Sequence, residues 1–226
     1  MAQFEILERE ELRLVKVTLT NETVRTESGA LYYMIGPLTM ETKAPSAGSF
    51  LKSLATAETV FRPTYTGTGE LFLEPSFASF HVLELNNEEW VLDRGAYWAS
   101  EAGITVDAYR DKVMTSLMSG EGFLNFQTKI KGTGQVVLVA QGPVQVLHLN
   151  NDKLVVDGSF AVARTLSLDY SVERATKSLF GTMSSGEFLV NTYRGTGTVL
   201  IAPFPNRNLR LIETIRGLLP TSQSPG

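Results

Sequence analysis

The chain has 226 residues, 43% of them apolar and 19% charged, and 20 Lys+Arg against 24 Asp+Glu leave a formal net charge of -4. That length can bury a sizeable core, and the composition excludes both disorder and the bulk positive charge of a phosphate-neutralising nucleic-acid binder. With no cysteine and two histidines, disulfides, thiolate metal sites and cysteine nucleophiles are excluded, and His-rich metal chemistry nearly so.

In chain order, Met1–Glu11 is acidic and mixed. It lacks the basic start and apolar run of a secretory signal and the Arg-rich, acid-poor character of a transit peptide. No apolar run approaches the ~20 residues of a spanning helix. The expectation is a cytoplasmic protein with no integral membrane segment.

Internal repeats come next. Gly67-Thr68-Gly69, Gly132-Thr133-Gly134 and Gly195-Thr196-Gly197 lie 65 and 63 residues apart, and each opens a β-rich run. A second marker agrees: Leu85-Asn86-Asn87 and Leu149-Asn150-Asn151 are 64 residues apart, each followed by an acidic residue and an apolar strand. Asn21–Ala30 resembles Asn87–Ala96, so the chain begins in mid-repeat and ends on a Gly-Thr-Gly half. Two halves of that kind complete one another in a closed, pseudo-threefold β structure, which removes open sheet edges. Asn tolerates positive φ, so the Asn-Asn pairs are expected in tight hairpin turns. Short connecting helices are expected at Ser49–Ala57, Ala108–Leu117 and Val172–Phe180, from apolar residues recurring at i, i+3 or i+4. Residues 1–205 then form one domain with junctions near 67, 132 and 195. Residues 206–226 form an amphipathic helix, carried by Leu209, Leu211, Ile212, Ile215, Leu218 and Leu219, and a frayed tail.

The stretch Thr115-Ser116-Leu117-Met118-Ser119-Gly120-Glu121-Gly122-Phe123, followed by Gly132-Thr133-Gly134-Gln135-Val136, resembles the "altered inheritance of mitochondria, twenty-four" family. Lys177-Ser178-Leu179-Phe180-Gly181 with Gly195-Thr196-Gly197-Thr198-Val199 is a related form, and the resemblance runs from Leu12 to Pro203. The third junction departs from the pattern, with Thr182-Met183-Ser184-Ser185-Gly186 in place of the compact Gly-rich turn. The resemblance implies a fold like that of the tryptophan RNA-binding attenuation protein (TRAP-like), a short double-stranded β-helix repeated within one chain. It implies no activity. The family's mitochondrial branch is linked to inner-membrane organisation, and it has no catalytic motif to carry over. The expected fold is therefore all-β, with three internal repeats, short connecting helices and a C-terminal helix.

Candidate sites are few. His81 and His148 are 67 residues apart and not equivalent between repeats, so no metal site is expected. Glu27, Asp93 and Asp157 are equivalent, and repetition in every unit points to a turn-forming role rather than a cation site. A phosphate loop leads into a helix, whereas the Gly-Thr-Gly triplets lead into strands. Gly67, Gly69, Gly132, Gly134, Gly195 and Gly197 are therefore read as structural, at bulges or sheet corners. Lys129, Lys131 and Arg194, with Tyr65 and Tyr193, suggest a basic-aromatic RNA rim. Thr66 breaks that ring in the first unit, and net charge is negative, so RNA binding is not expected and DNA binding is excluded. No Gly-x-Ser-x-Gly elbow marks a nucleophile.

Strand alternation puts Leu71/Leu73, Val136/Leu138 and Val199/Ile201 on one face, yet Val137, Val139, Leu200 and Ala202 are apolar on the other. A sheet apolar on both faces is covered on both, by helices or by a partner. These four residues are the expected interface. The reading is a non-enzymatic, homo-oligomeric interaction or scaffold protein without cofactor; the rival is a β-helix that binds a small polar molecule or single-stranded RNA.

Overall fold

A computed structural model describes residues 1–42, 62–109, 127–157, 160–174 and 189–218. They form an all-β protein with one helix. The strands are β1 (Gln3–Arg9), β2 (Leu12–Thr26), β3 (Leu31–Ile35), β4 (Leu38–Glu41), β5 (Thr64–Leu73), β6 (Ser79–Leu92) and β7 (Tyr97–Glu101). There follow β8 (Ile104–Tyr109), β9 (Gln127–Ala140), β10 (Gln145–Asp157), β11 (Ala161–Thr165), β12 (Asp169–Arg174), β13 (Leu189–Ile201) and the helix α1 (Arg207–Leu218).

Three long antiparallel pairs carry the architecture: β2 with β5, β6 with β9, and β10 with β13. Each pair breaks register at one place. Asn21, Asn87 and Asn151 have φ of 59, 56 and 53°, and the ladder shifts there against Gly67, Gly132 and Gly195. Asn accepts this left-handed backbone at less cost than other side-chain-bearing residues, and the extra residue makes a β-bulge. Its amide is not left unpaired. The N–H groups of Asn21, Asn87 and Asn151 donate to Oγ1 of Thr68, Thr133 and Thr196 at 2.9, 3.0 and 2.9 Å. The Asn-Asn pairs therefore have the expected φ but not the expected place. They lie within long strands rather than in hairpin turns, because the Gly-Thr-Gly strand opposite continues past them.

Each Gly-Thr-Gly strand holds two short strands on its other side: β3 and β4 on β5, β7 and β8 on β9, β11 and β12 on β13. Two of them also bond to a neighbouring pair. β7 adds to β2, and β11 adds to β6. The hydrogen-bonded order is thus β10-β13-β11-β6-β9-β7-β2-β5-β3, with β10 and β3 at its ends.

This linkage decides where the cores sit. Val136 and Leu138 pack with Leu83, Leu85, Trp90 and Leu92 of their own pair. Val137, on the other face of β9, joins Val15, Val17, Leu19, Tyr65 and Leu71 of the first pair. Leu200 and Ala202 join the second pair's core in the same way. Of the expected helices, Ala108 and Tyr109 belong to β8, and Val172–Arg174 belong to β12. The remaining residues of those three segments lie outside the described ones. α1 starts on Asn206, whose Oδ1 accepts the N–H groups of Asn208 (2.8 Å) and Leu209 (3.4 Å), a side-chain N-cap. Leu209 and Ile212 are half-buried, while Leu211 and Ile215 stay exposed.

Candidate functional site

The four residues expected at an interface are not surface. Val137, Leu200 and Ala202 are buried and Val139 is half-buried, all within the chain. Among the described residues, the side chains that cover the second apolar face belong to the neighbouring strand pair.

Exposed apolar side chains concentrate elsewhere. On the terminal strand β3, Tyr32, Tyr33, Met34 and Ile35 are all exposed, and Met40 of β4 lies beside them along β5. Tyr33 stacks on Phe72 with ring centroids 4.3 Å apart and planes 13° off parallel. Lys16 approaches the same Phe72 ring at 5.8 Å and its ammonium pairs with Glu70 at 2.5 Å. At the opposite end of the sheet order, Val155 and Val146 of β10 are exposed. An uninterrupted apolar run, Leu31–Ile35, is the signal in the sequence that marks the first of these edges. Alternation gives a half-buried strand one polar face, and this run has none.

The triplet glycines lie inside β5, β9 and β13 rather than at their starts. A Cβ at Gly67 would strike the Pro37 carbonyl, and one at Gly132 would stand 2.5 Å from the Gly103 carbonyl. These positions let a short strand cross close over the long one, which is a structural task.

The basic residues around the triplets are committed to ion pairs. Lys129 and Lys131 both reach the Glu89 carboxylate, at 2.8 and 2.6 Å, and together hold its pKa down to about 2. Arg194 pairs with Glu173 at 2.7 Å. Tyr65 and Tyr193 are buried, so neither ring is open for a base to stack on. His81 is half-buried, and that burial lowers its pKa. His148 is exposed and its Nδ1 lies 3.1 Å from Thr198 Oγ1. Among the described residues, no group of three or more His, Asp or Glu side chains could share an ion. The turns after Glu27 and Asp93 are closed by backbone bonds from the N–H groups of Ala30 (3.3 Å) and Ala96 (3.1 Å) to their carbonyls. The side chains then diverge: Glu27 accepts from Arg62 Nε at 3.2 Å, while the Asp93 carboxylate accepts from the Arg94 backbone N–H and from Gln127. The Glu27 and Asp93 carboxylates thus have unlike settings, and the third equivalent side chain, Asp157, lies outside the described ones.

One cavity of about 250 Å³ opens between the Asp93–Ala96 turn, Gln141, Ala202 and Leu209 of α1. Its wall is mostly apolar, with Asp93 and Arg94 as the charged groups.

Residues 4–204 match the family model described as mitochondrial biogenesis AIM24. The chain belongs to the AIM24 family. A relative from Streptococcus pyogenes serotype M6, described only as an uncharacterised protein, is 26% identical over 224 residues, covering 93% of this chain and 88% of its own length. The fold matches the crystal structure of a Streptococcus pyogenes protein with a TM-score of 0.74, at 22% identity, over 97% of this chain and all of that one. No helix among the described residues of this AIM24 chain is long and apolar enough to cross a membrane.

Proposed function

We propose that this AIM24-family chain is a non-enzymatic, cytoplasmic scaffold that works by associating with further copies of itself. The observation that carries the reading is the edge strand β3, where four consecutive apolar side chains face solvent. Natural edge strands are normally shielded by charge, proline, bulges or a covering element. An exposed edge of this composition is a site for adding another strand. The recurrence of one bulge and one threonine contact in all three long pairs supports a TRAP-like, pseudo-threefold arrangement.

Native mass spectrometry tests this directly. The expected result is a multiple of the 24.8 kDa chain with no stoichiometric metal. A single-chain mass at micromolar concentration overturns it. A second reading, a binder of small polar molecules, draws on the cavity beside Asp93. At about 250 Å³ that cavity is smaller than the ~300–1,000 Å³ usual for ligand pockets. A bound metabolite of defined mass in the same spectrum would favour that reading instead.

A further inference from the structure

The two junctions built inside the chain follow one pattern, residue for residue. Where β7 meets β2, Val24, Arg25 and Thr26 face Glu101, Ser100 and Ala99. The Glu27 N–H donates to the Trp98 carbonyl (2.7 Å) and the Ala102 N–H to the Thr23 carbonyl (3.2 Å). Where β11 meets β6, Trp90, Val91 and Leu92 face Thr165, Arg164 and Ala163. There the Asp93 N–H donates to the Val162 carbonyl (2.8 Å) and the Leu166 N–H to the Glu89 carbonyl (2.9 Å).

β3 is built as a third copy of β7 and β11. Leu31, Tyr97 and Ala161 stand opposite Leu73, Leu138 and Ile201, and each strand then skips one residue in the same place. Among the described residues, β3 has no second partner. β10 has none in the same sense, because among them it pairs with β13 alone, whereas β2 and β6 each also accept a short strand. Burial shows the consequence. Ala99 and Ala163 are 0% and 5% exposed, whereas the equivalent Tyr33 is 44% exposed. Val91 is 1% exposed and its equivalent Val155 is 48%.

The cores say the same. The first is completed by Ala99 and Val137 of the second pair's strands, and the second by Val162, Ala163, Leu200 and Ala202. Among the described residues, the third contains only residues of its own pair, its two short strands and the turns beside them, between Leu149 and Ile201. The positions that would complete it are Tyr32, Tyr33 and Phe72, all apolar, and Glu74.

Resting on the self-association reading, we propose that β3 of one copy adds to β10 of a second copy, repeating the internal junction. In that register Tyr33, Met34 and Ile35 face Val156, Val155 and Leu154. The Asp157 N–H donates to the Tyr32 carbonyl, and the Gly36 N–H donates to the Lys153 carbonyl. Tyr32 and Tyr33, the latter backed by the buried Phe72, then close the partner's third core. The two edges stand at opposite ends of the strand order and do not pair with each other, so the occupant is another molecule. Such a head-to-tail contact joins different surfaces and propagates into a ring or a filament.

The absence of native cysteine makes the register testable by cross-linking Ile35→Cys to Leu154→Cys. At the built junctions the corresponding pairs, Glu101/Val24 and Thr165/Trp90, lie one residue away from the backbone-bonded pairs. A non-hydrogen-bonded pair has Cα atoms about 4.5 Å apart, within disulfide reach. Mixing the two single variants under mild oxidation should give a covalent dimer at twice the chain mass, and neither variant alone should. The double variant should give a ladder of multimers. A fast-running, internally linked monomer would overturn the proposal, as would cross-linking of Ile35→Cys to Val146→Cys with equal yield. Oligomers by light scattering without the Ile35–Leu154 link would overturn this interface while leaving self-association standing; single-chain mass without the link would overturn both. Met34→Lys, a change at an exposed side chain, should reduce wild-type assemblies to one chain with the fold intact. Unchanged mass in that variant counts against the interface.

Discussion

The glycines facing the three bulges provide a matched series in which one backbone conformation meets three environments. Gly67, Gly132 and Gly195 have φ of +138, +141 and +112°, a region that L-residues with a side chain rarely enter. Alanine at any of them carries backbone strain of about 1–3 kcal/mol. At Gly195 nothing more is added, since the nearest atom to a new Cβ is Leu168 Cδ2 at 3.9 Å. At Gly132 the Cβ also stands 2.5 Å from the Gly103 carbonyl oxygen and 3.4 Å from Ile104 Cα. At Gly67 it overlaps the Pro37 carbonyl. Those neighbours are backbone and cannot rotate away, and overpacking of this kind costs about 1–3 kcal/mol more. Gly195→Ala should therefore cost about 1–3 kcal/mol, and Gly67→Ala and Gly132→Ala about 2–6 kcal/mol. At about 2–4 °C per kcal/mol for a chain of this size, the two groups separate in a thermal scan followed by far-UV circular dichroism. Equal midpoints for Gly132→Ala and Gly195→Ala would refute the close-approach argument. A midpoint for Gly132→Ala indistinguishable from wild type would refute the strain argument as well.

Thr133→Val removes the acceptor for the Asn87 N–H and should cost about 0.5–1.5 kcal/mol in urea denaturation. Thr68→Val and Thr196→Val should agree with it within about 0.5 kcal/mol, because the three contacts have the same geometry. The Glu89 carboxyl, held at about 2 by Lys129 and Lys131, lies below its ordinary 4.5, so its stabilising effect is fully present above pH 4.5 and is lost as pH falls towards 2. Glu89→Gln should accordingly be less stable than wild type at pH 6 and equal to it near pH 2, with the gap at pH 6 shrinking in 0.5 M salt. A gap that persists at pH 2 would point to packing rather than charge.

Much of the bulge chemistry is legible in the chain itself, because it is local. A backbone at positive φ favours Gly or Asn, although Glu10 and Glu11 adopt it in the β1–β2 turn, so Gly67, Gly132 and Gly195 and the asparagines Asn21, Asn87 and Asn151 mark their places without reference to the rest of the molecule. The two-sided apolar pattern of Val136–Val139 likewise requires burial on both faces. Its cover is not local. Whether Val137 meets a helix, a partner or a neighbouring strand depends on β7 bonding to β2 as well as to β9, a contact spanning some seventy residues of chain that no short-range preference encodes. The same holds for the asparagines. Positive φ serves a hairpin turn and a mid-strand bulge equally, and only the long Gly-Thr-Gly strand running past them selects the bulge. The apolar run Leu31–Ile35 declares a strand without a polar face. That its free edge stands at one end of the sheet, with the bare edge of β10 at the other, is decided by the order in which the three pairs dock, since each docking event buries one edge and passes the next one on.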